Sequence, residues 1–346
     1  MDAFDELPRV ILMPGLGAVC VGDDGAAAGV AADITAQTLA VKRQVAESGG
    51  VYRGLDESAL FAMEYYPLQL AKLDVRPEPP LARTVALVTG AAGAIGSGIC
   101  RVLLDNGCHV AATDLAGPAL DGLVTRLAAD FGARVLGVTL DVTDPLQVQC
   151  AFGRVAERWG GVDLVVINAG LAHVAALTDL ALADFQRLER VNVEGTLLLL
   201  GEAGRHMKAQ NTGGDIVLIS TKNVFAPGAS FGAYSATKAA SHQLARIAVQ
   251  EFAPLGVRVN MVSPDAVFSD GATRSGLWQA VGPDRMKARG LDEAGLEEYY
   301  RKRNLLQARI TAEHVGRAVL FFATRQTPTT GATLPVDGGL PDSTPR

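Results

Sequence analysis

The chain of 346 residues is 49% hydrophobic and 20% charged, which is typical of a globular protein large enough for one or two domains. Its formal net charge of −6 argues against a nucleic-acid partner, and it has no apolar run long enough to span a membrane. Four scattered cysteines and an acidic N-terminus without a signal-peptide pattern predict reduced thiols and a cytoplasmic protein.

Two segments of different character meet at a proline-rich stretch, residues 75–80. Before it, residues 10–13 predict a short strand, and residues 26–46 and 57–73 predict helices. After it, buried apolar strands alternate with helices. The predicted strands cover residues 85–88, 110–113, 135–140, 164–167, 216–219, 257–262 and 332–336. The longer predicted helices cover residues 94–105, 182–208 and 234–252.

Apolar strands separated by helices indicate a parallel sheet with both faces covered, because right-handed crossovers place helices on the two sides. The predicted fold class is therefore α/β. It is a Rossmann-like doubly wound parallel sheet of about seven strands with helices on both faces, plus a small N-terminal α/β extension. The expected domains are residues 1–78 and 79–346.

A glycine-rich turn joins the first strand of the alternating region to its first helix. There, backbone N–H groups and a helix N-terminus can approach a pyrophosphate, and Asp114 at the end of the next strand can hold the adenosine ribose. Because Asp114 would repel a 2′-phosphate and no Arg or Lys follows it directly, NAD is favoured over NADP. Cofactor contacts are expected from Gly90, Gly93, Ala94, Ile95, Gly96, Asp114 and Leu115.

Tyr234 and Lys238 are four positions apart in a predicted helix, so their side chains project from the same face. A free phenol has a pKa near 10 and is a poor base at neutral pH, but a neighbouring cation stabilises the phenolate. We therefore expect Lys238 to lower the pKa of Tyr234. The pair predicts proton transfer to or from a substrate hydroxyl.

From about residue 81 to residue 340, the chain resembles the short-chain dehydrogenase/reductase family. The resemblance rests on seven motifs that occur in the family's order and spacing. It implies a nicotinamide cofactor, a small-molecule substrate and an oligomer, either a homodimer or a homotetramer. The motifs lie at residues 89–96, 141–142, 167–170, 191–195, 234–238, 259–264 and 331–339.

The resemblance also implies roles for individual residues. Tyr234 would exchange a proton with the substrate, Lys238 would bind the nicotinamide ribose, and Asn192 would hold a water that links Lys238 to solvent. Further cofactor contacts are expected from Asp141, Val142, Asn168, Ala169, Gly170, Tyr234, Lys238, Pro264 and Val267.

The family's fourth active-site group is a serine thirteen residues before the tyrosine, and it polarises the substrate oxygen. Thr221 occupies that position here, with Ser220 one residue earlier. A threonine hydroxyl donates the same hydrogen bond, but its methyl group restricts the rotamer and crowds the pocket. Thr221 is favoured, and Ser220 is the alternative.

Two positions depart from the family pattern. The turn has Gly93 and Ala94 where the family commonly has glycine one place later, a spacing that resembles the epimerase-type branch and leaves the reaction class open. Asp265 follows Pro264 where glycine is usual. It either alters contacts to the substrate or cofactor, or is a surface turn residue.

The first part of the chain resembles a different family. It is similar to the end of a class II aldolase domain, as found in bifunctional aldolase/short-chain dehydrogenase proteins of the rhamnulose-phosphate aldolase/lactaldehyde dehydrogenase type. The segments that carry this resemblance are residues 14–17, 31–34 and 61–73. Residues 221–223 and 263–267 resemble the dehydrogenase half of the same bifunctional proteins. Such aldolases bind zinc through histidines, and residues 1–108 contain none. We therefore expect residues 1–78 to be a non-catalytic remnant, acting as a cap or an oligomer contact, and we predict no metal site.

Residues 266–309 are expected to form a substrate lid. Its basic residues could contact an anionic or polyhydroxylated substrate, with Trp278 as an apolar wall, whereas the alternative is a solvated lid helix. The side chains in question are Arg274, Trp278, Arg285, Lys287 and Arg289.

The motifs predict an NAD-dependent oxidoreductase that interconverts a small hydroxy compound and its carbonyl form, with Tyr234 as general acid/base. The substrate would be a sugar-derived alcohol, a diol or a hydroxyaldehyde. Two alternatives stay open, namely an epimerase or dehydratase that retains NAD, and a non-catalytic NAD-binding scaffold. The short segment after the last predicted strand argues against the first, and the intact Tyr234, Lys238 and Asn192 argue against the second.

Overall fold

The computed structural model describes residues 8–64, 66, 78–271 and 273–341. The chain divides into two compact units, Met1–Pro79 and Pro80–Arg346. In the first unit, an antiparallel hairpin precedes two helices. These elements are β1 (Val10–Met13), β2 (Gly17–Cys20), α1 (Gly25–Glu47) and α2 (Glu57–Glu64). The second strand is missing from the sequence prediction, and residues 65 and 67–73 of the predicted second helix lie outside the described residues.

The first unit has no fully buried side chain among its described residues. Helix α1 begins at a local cap, where the Asp24 carboxylate accepts a hydrogen bond of 2.8 Å from the backbone N–H of Ala27. Large apolar side chains are exposed on the unit, for example Leu16 at 82% and Ile34 at 62%. Local hydrogen bonding therefore contributes more to the described part of this unit than a buried core does.

The second unit contains a parallel sheet of seven strands. In chain order they are β3 (Val85–Thr89), β4 (His109–Asp114), β5 (Val135–Thr139), β6 (Leu164–Ile167), β7 (Gly214–Ile219), β8 (Val257–Pro264) and β11 (Thr333–Val336). Their spatial order is β11-β8-β7-β6-β3-β4-β5, with every neighbouring pair parallel. The predicted α/β class and the seven strands are confirmed.

Helices cover both faces of this sheet. They are α3 (Ala94–Asp105), α4 (Pro118–Phe131), α5 (Pro145–Trp159), α6 (Leu182–Glu189), α7 (Gly195–Gln210), α8 (Gly232–Phe252) and α11 (Ala312–Ala323). Successive strand side chains point to opposite faces, so Ala86 and Val88 join a core with α3, α4 and α11, whereas Val85 and Leu87 join a core with α5, α7 and α8. The sheet is thus held between two buried cores, one on each face.

Helix α3 packs very closely on α11. A Cβ built at Gly98 would overlap Ala312, and one at Gly316 would lie 3.0 Å from the Gly98 carbonyl oxygen and 2.8 Å from a Val102 methyl carbon. Only glycine permits this approach, because any side chain would separate the two helices.

The predicted helix over residues 182–208 is wrong in one respect. Helices α6 and α7 are joined by a single π-helical turn, residues Arg190–Glu194, which contains Asn192. One extra residue in a helical turn does not change the apolar pattern enough to be seen in the sequence, and such turns occur frequently at functional sites.

Residues 266–309 contain two short antiparallel strands and two helices. They are β9 (Ser269–Asp270), β10 (Thr273–Arg274), α9 (Gly276–Arg289) and α10 (Glu293–Lys302). The two strands are absent from the sequence prediction. Across the residues that the structure describes, no helix combines the length and apolar character needed to cross a membrane.

Candidate active site

A cleft of about 360 Å³ opens at the carboxyl ends of the central strands. The order of the strands reverses between β3 and β6, and ligands of open α/β sheets bind at such a reversal point. Nine of the predicted site residues line the cleft, namely Ile95, Asn168, Gly170, Ser220, Thr221, Tyr234, Lys238, Pro264 and Val267. The others lie outside its lining, namely Gly90, Gly93, Ala94, Gly96, Asp114, Leu115, Asp141, Val142, Ala169 and Asn192.

Tyr234 lies on the first turn of α8 and is only 8% exposed. Burial raises its pKa to about 12, because a phenolate is poorly solvated there, and a hydrogen bond with the Thr221 side chain acts in the opposite direction. The expected lowering of this pKa by Lys238 is not observed. In this structure Tyr234 is therefore a protonated phenol at neutral pH.

Lys238 lies one helical turn after Tyr234 and is 5% exposed. Its ammonium group donates a hydrogen bond of 2.9 Å to the Ile219 carbonyl oxygen at the end of β7. Burial lowers the pKa of Lys238 to about 8, because the charged form is desolvated. At neutral pH the group still carries its charge, beside the cleft that it lines.

The hydroxyls of Thr221 and Ser220 have different partners. Thr221 lies after β7, and its side chain is bonded to Tyr234 and accepts from the backbone N–H of Asn223 at 3.3 Å. The Ser220 hydroxyl instead lies 3.0 Å from Nδ1 of the buried His242. Tyr234, Thr221 and Lys238 together form what we call the hydroxyl side of the cleft.

Asn192 connects the π-helical turn to α8 and to the segment after β6. Its side-chain amide donates a hydrogen bond of 3.0 Å to the Thr237 hydroxyl. The same amide donates to the backbone carbonyl oxygen of Leu171 and accepts from the backbone N–H of Leu171. The hydroxyls of Thr196 and Ser241 donate hydrogen bonds to the backbone carbonyl oxygen of Asn192. These contacts hold Asn192 rigidly behind the hydroxyl side, and its predicted role in holding a water stays a prediction.

The glycine turn between β3 and α3 has the shape that a pyrophosphate requires. Gly90 has a φ of +62°, and a Cβ there would lie 2.8 Å from the Ala169 backbone, while a Cβ at Gly96 would overlap the Gly90 carbonyl oxygen. Gly93 precedes α3 without a side-chain cap, and a Cβ at this position would meet nothing nearer than 3.4 Å. Helix α3 therefore begins without a side-chain cap directly after the glycine turn, and the predicted contacts of this turn with a dinucleotide stay a prediction.

Polar side chains fix this turn from the neighbouring strands. The Asp114 carboxylate accepts a hydrogen bond of 2.9 Å from the backbone N–H of Ala92 and one of 2.8 Å from the backbone N–H of Leu115. The Asn168 amide donates to the carbonyl oxygens of Thr89 and Gly90 at 2.9 and 3.0 Å. Asn168 therefore acts at least in part by shaping the turn.

Asp141 has a similar local bonding pattern at the end of β5. One of its carboxylate oxygens accepts from the backbone and the hydroxyl of Thr143, at 2.9 and 2.8 Å. The neighbouring Val142 is buried and packs against Gly195.

Part of the cleft wall comes from the predicted lid. Trp278, Arg285 and Arg289 line the cleft, but Arg274 and Lys287 do not. Arg274 forms an exposed ion pair of 3.1 Å with Glu293, and Lys287 is exposed on α9. Three of the five residues named in the predicted lid therefore line the cleft, and their contact with a substrate stays a prediction.

Asp265 is not a surface turn residue. It is 9% exposed, and its carboxylate is bonded to the guanidinium of Arg303, which also lies 4.0 Å from the centre of the Tyr300 ring. This pair ties the end of β8 to the end of α10. Sequence analysis missed Lys222, Tyr299, Tyr300 and Arg303 in the cleft wall, because their positions depend on contacts between distant segments.

Comparison with known proteins gives separate matches for the two units. Residues 84–280 match the family model for short chain dehydrogenases, and residues 1–73 match the model described as "Aldolase class II, second domain". Both resemblances noted in the sequence are thus confirmed.

Individual relatives are similar over the second unit or over the whole chain. The uncharacterized oxidoreductase YuxG of Bacillus subtilis is 38% identical over 98% of this chain, but the match covers 49% of YuxG. The chain therefore spans about half the length of that relative. The (-)-isopiperitenol/(-)-carveol dehydrogenase of Mentha piperita is 34% identical over 75% of this chain and 94% of its own length.

A solved structure with the same architecture is sorbitol-6-phosphate 2-dehydrogenase SrlD from Erwinia amylovora. It is 26% identical, with a TM-score of 0.68, over 74% of this chain and 98% of that one. With the glycine turn, the Tyr234/Lys238 pair and these matches in agreement, this chain belongs to the short chain dehydrogenase family.

Proposed function

We propose that this protein is an NAD-dependent oxidoreductase that interconverts a small hydroxy compound and its carbonyl form. The observation that carries the proposal is the hydroxyl side of the cleft, where a buried phenol is bonded to a threonine hydroxyl one helical turn from a lysine. The names of the relatives, a carveol dehydrogenase and a sorbitol-6-phosphate dehydrogenase, support an alcohol as the substrate. When bound, the nicotinamide supplies the hydride acceptor or donor.

The chain's own groups would handle the proton. Because Tyr234 is protonated at neutral pH, it can donate its proton to a carbonyl oxygen, and its phenolate can take the proton of an alcohol in the reverse direction. The hydroxyl of Thr221 adds a second hydrogen bond to the same oxygen. Lys238, charged at neutral pH, stabilises the negative charge that develops near Tyr234.

The preference for NAD rests on Asp114. Its carboxylate lies beside the glycine turn at the end of β4, where it would accept hydrogen bonds from a ribose and repel a 2′-phosphate. The glycine turn, residues 89–96, contains no Arg or Lys that could neutralise such a phosphate.

Several broader expectations are part of the same proposal. Residues 266–309 would act as a lid over the substrate, since Trp278 and Arg285 from this segment line the cleft. Residues 1–78 would take no part in the chemistry, and the protein would assemble as a homodimer or a homotetramer.

The test is a spectrophotometric screen for NADH formation with sugar alcohols, diols and hydroxy acids, using the full chain. We expect turnover of at least one alcohol with NAD, and turnover with NADP that is weaker by about tenfold or more. Tyr234→Phe is the control, because it removes the proton and keeps the ring. NAD binding without turnover of any alcohol would favour the scaffold alternative, and unchanged turnover by Tyr234→Phe would exclude the proposed mechanism.

A further inference from the structure

The lid side of the cleft has an excess of positive charge. Four basic side chains line it, and we call them the cationic side: Lys222, Arg285, Arg289 and Arg303. One carboxylate, Asp265, also lines the cleft, and it is bonded to Arg303. Three of these four cations, Lys222, Arg285 and Arg289, therefore have no ion-pair partner among residues 8–64, 66, 78–271 and 273–341.

Arg285 is the member of the cationic side that is least satisfied. Its guanidinium carbon lies over the Phe231 ring, 3.9 Å from the ring centre, in a cation–π contact. Its Nε is buried and has no hydrogen-bond partner within the described part of the chain. Burial is the main reason that the pKa of Arg285 is lowered, and the charges of Arg289 and Arg303 lower it further. A buried donor without an acceptor is costly, and the positive charge of Arg285 at the cleft wall has no neighbouring carboxylate to offset it within the described residues.

Lys222 and Arg289 extend the same cluster. The Lys222 ammonium donates a hydrogen bond of 3.1 Å to the Ala226 carbonyl oxygen. This bond uses one of the three N–H groups of the ammonium. Burial lowers the pKa of Lys222, and the charges of Arg303 and Arg285 lower it further, so these groups lie near one another. Arg289 stacks on the Tyr299 ring at 4.9 Å and contributes its charge from the same helix as Arg285.

The position of this cluster relates it to the reacting end of the cleft. The Phe231 ring that supports Arg285 also contacts the Tyr234 ring, with the two ring centres 6.0 Å apart. With the guanidinium 3.9 Å from the Phe231 ring centre, it lies within about 10 Å of the Tyr234 ring. A short carbon chain can therefore place a hydroxyl at Tyr234 and an anionic group at Arg285 in the same molecule.

We propose that the ligand of this cleft is a hydroxy compound carrying a phosphate monoester, with the phosphate bound by Arg285, Arg289 and Lys222. The position of the reacting hydroxyl in this assignment rests on the proposed function. The phosphate contacts do not depend on it. A phosphate monoester carries about −1.5 to −2 charges at neutral pH and three acceptor oxygens. It therefore matches three unpaired cations better than a carboxylate does, and a guanidinium can bind it with two parallel hydrogen bonds.

The test measures binding separately from turnover. The full-length protein is saturated with NADH, which fills the glycine turn and cannot accept a hydride from an alcohol, and is titrated with sorbitol 6-phosphate, sorbitol, gluconate and inorganic phosphate. Isothermal calorimetry reports affinity, and fluorescence of Trp278 in the cleft wall reports the location. We expect sorbitol 6-phosphate to bind at least about tenfold more tightly than sorbitol or gluconate, and inorganic phosphate to compete with it.

Two variants of α9 locate the binding group. Arg285→Gln should weaken the binding of sorbitol 6-phosphate about 10- to 100-fold and leave the affinity for sorbitol unchanged. Lys287→Gln is the matched control, since it removes one charge from the same helix but outside the cleft lining, and it should change neither affinity.

The outcomes separate this inference from the proposed function. Equal affinities for the phosphorylated and neutral compounds, a preference for gluconate, or equal losses in both variants would overturn the phosphate site, even if neutral alcohols are oxidised. Tight, Arg285-dependent binding of sorbitol 6-phosphate without any NADH formation would support the phosphate site while the proposed reaction fails.

Discussion

The two sides of the cleft differ in how their polar groups are satisfied. On the hydroxyl side, Tyr234, Thr221 and Lys238 are buried and bonded to one another or to the backbone at the ends of sheet strands. On the cationic side, Arg285 and Arg289 lie on α9 and contact aromatic rings, without ion-pair partners in the described segments. The first arrangement is prepared for chemistry, and the second requires a ligand to become fully hydrogen-bonded.

The strongest test of this contrast is Tyr234→Phe. Because the hydroxyl side supplies the proton, we expect kcat to fall about 10²- to 10⁴-fold for any alcohol that the enzyme oxidises. The affinity for sorbitol 6-phosphate should fall by less than about tenfold, since only one neutral hydrogen bond is lost and the cationic side stays intact. Steady-state kinetics and calorimetry on the same preparation check both expectations, and a loss of affinity as large as the loss of kcat would contradict the division.

Thr221→Val should have the next largest effect. Valine keeps the shape of threonine but removes the hydrogen bond to the reacting oxygen, so we expect kcat/KM to fall about 10²- to 10³-fold. Thr221→Ser keeps the hydroxyl and is the matched control, with activity within about tenfold of the wild type. Equal losses in the two variants would show that the methyl group, and not the hydroxyl, is what the site needs.

The pH dependence of alcohol oxidation follows from the pKa of Tyr234, which burial raises to about 12. Oxidation requires the phenolate, and the phenolate fraction rises about tenfold for each pH unit below that pKa. The rate should therefore increase with pH from neutral to alkaline conditions, and the Tyr234→Phe variant should lose this dependence. A rate that is constant above neutral pH would show that the phenol titrates much lower during turnover.

The Asp265/Arg303 pair joins the end of β8 to the cationic side, and its loss should destabilise the protein moderately. In Asp265→Asn, Arg303 keeps a hydrogen-bond acceptor but loses the opposite charge in a site where the aspartate side chain is 5% exposed. We expect the free energy of unfolding to fall by about 1–3 kcal/mol, which is detected as a lower Tm. We also expect a higher KM. Asp130→Asn breaks the exposed pair with Arg101 and should change stability by less than about 0.5 kcal/mol.

The smallest effect is expected for Ser220→Ala. The Ser220 hydroxyl is directed to His242 and not to Tyr234, so its removal should lower kcat/KM by less than about tenfold. Steady-state kinetics beside Thr221→Val provide the check. A loss as large as that of Thr221→Val would assign the substrate hydrogen bond to Ser220.

The sheet and the glycine turn could be predicted from the sequence because their signals are local. Each buried strand is a short apolar run, and the turn is a set of glycines between a strand and a helix, as at residues 85–96. The Tyr234/Lys238 geometry follows from helical spacing alone. In the first unit, strand β2 was missed because its side chains are mostly exposed and show no buried pattern.

The cationic side could be predicted only in part, since it depends on distant contacts. Arg285 and Arg289 stand out as charged residues in the lid, but the sequence does not distinguish them from Lys287, which points elsewhere. Lys222 and Arg303 come from segments far apart in the chain. The pKa of Tyr234 was expected to fall, because the depth of burial that raises it is a property of the folded protein.

The contact between α3 and α11 has a consequence for the order in which the protein is made. The glycine turn begins α3, and Gly98 on that helix rests against Ala312 and Gly316, which are synthesised more than two hundred residues later. Until α11 leaves the ribosome, α3 has no partner at this surface, and the apolar side chains of its core are open to water. The helix that follows the glycine turn is therefore encoded early, but its packing surface is completed only when most of the chain has been made.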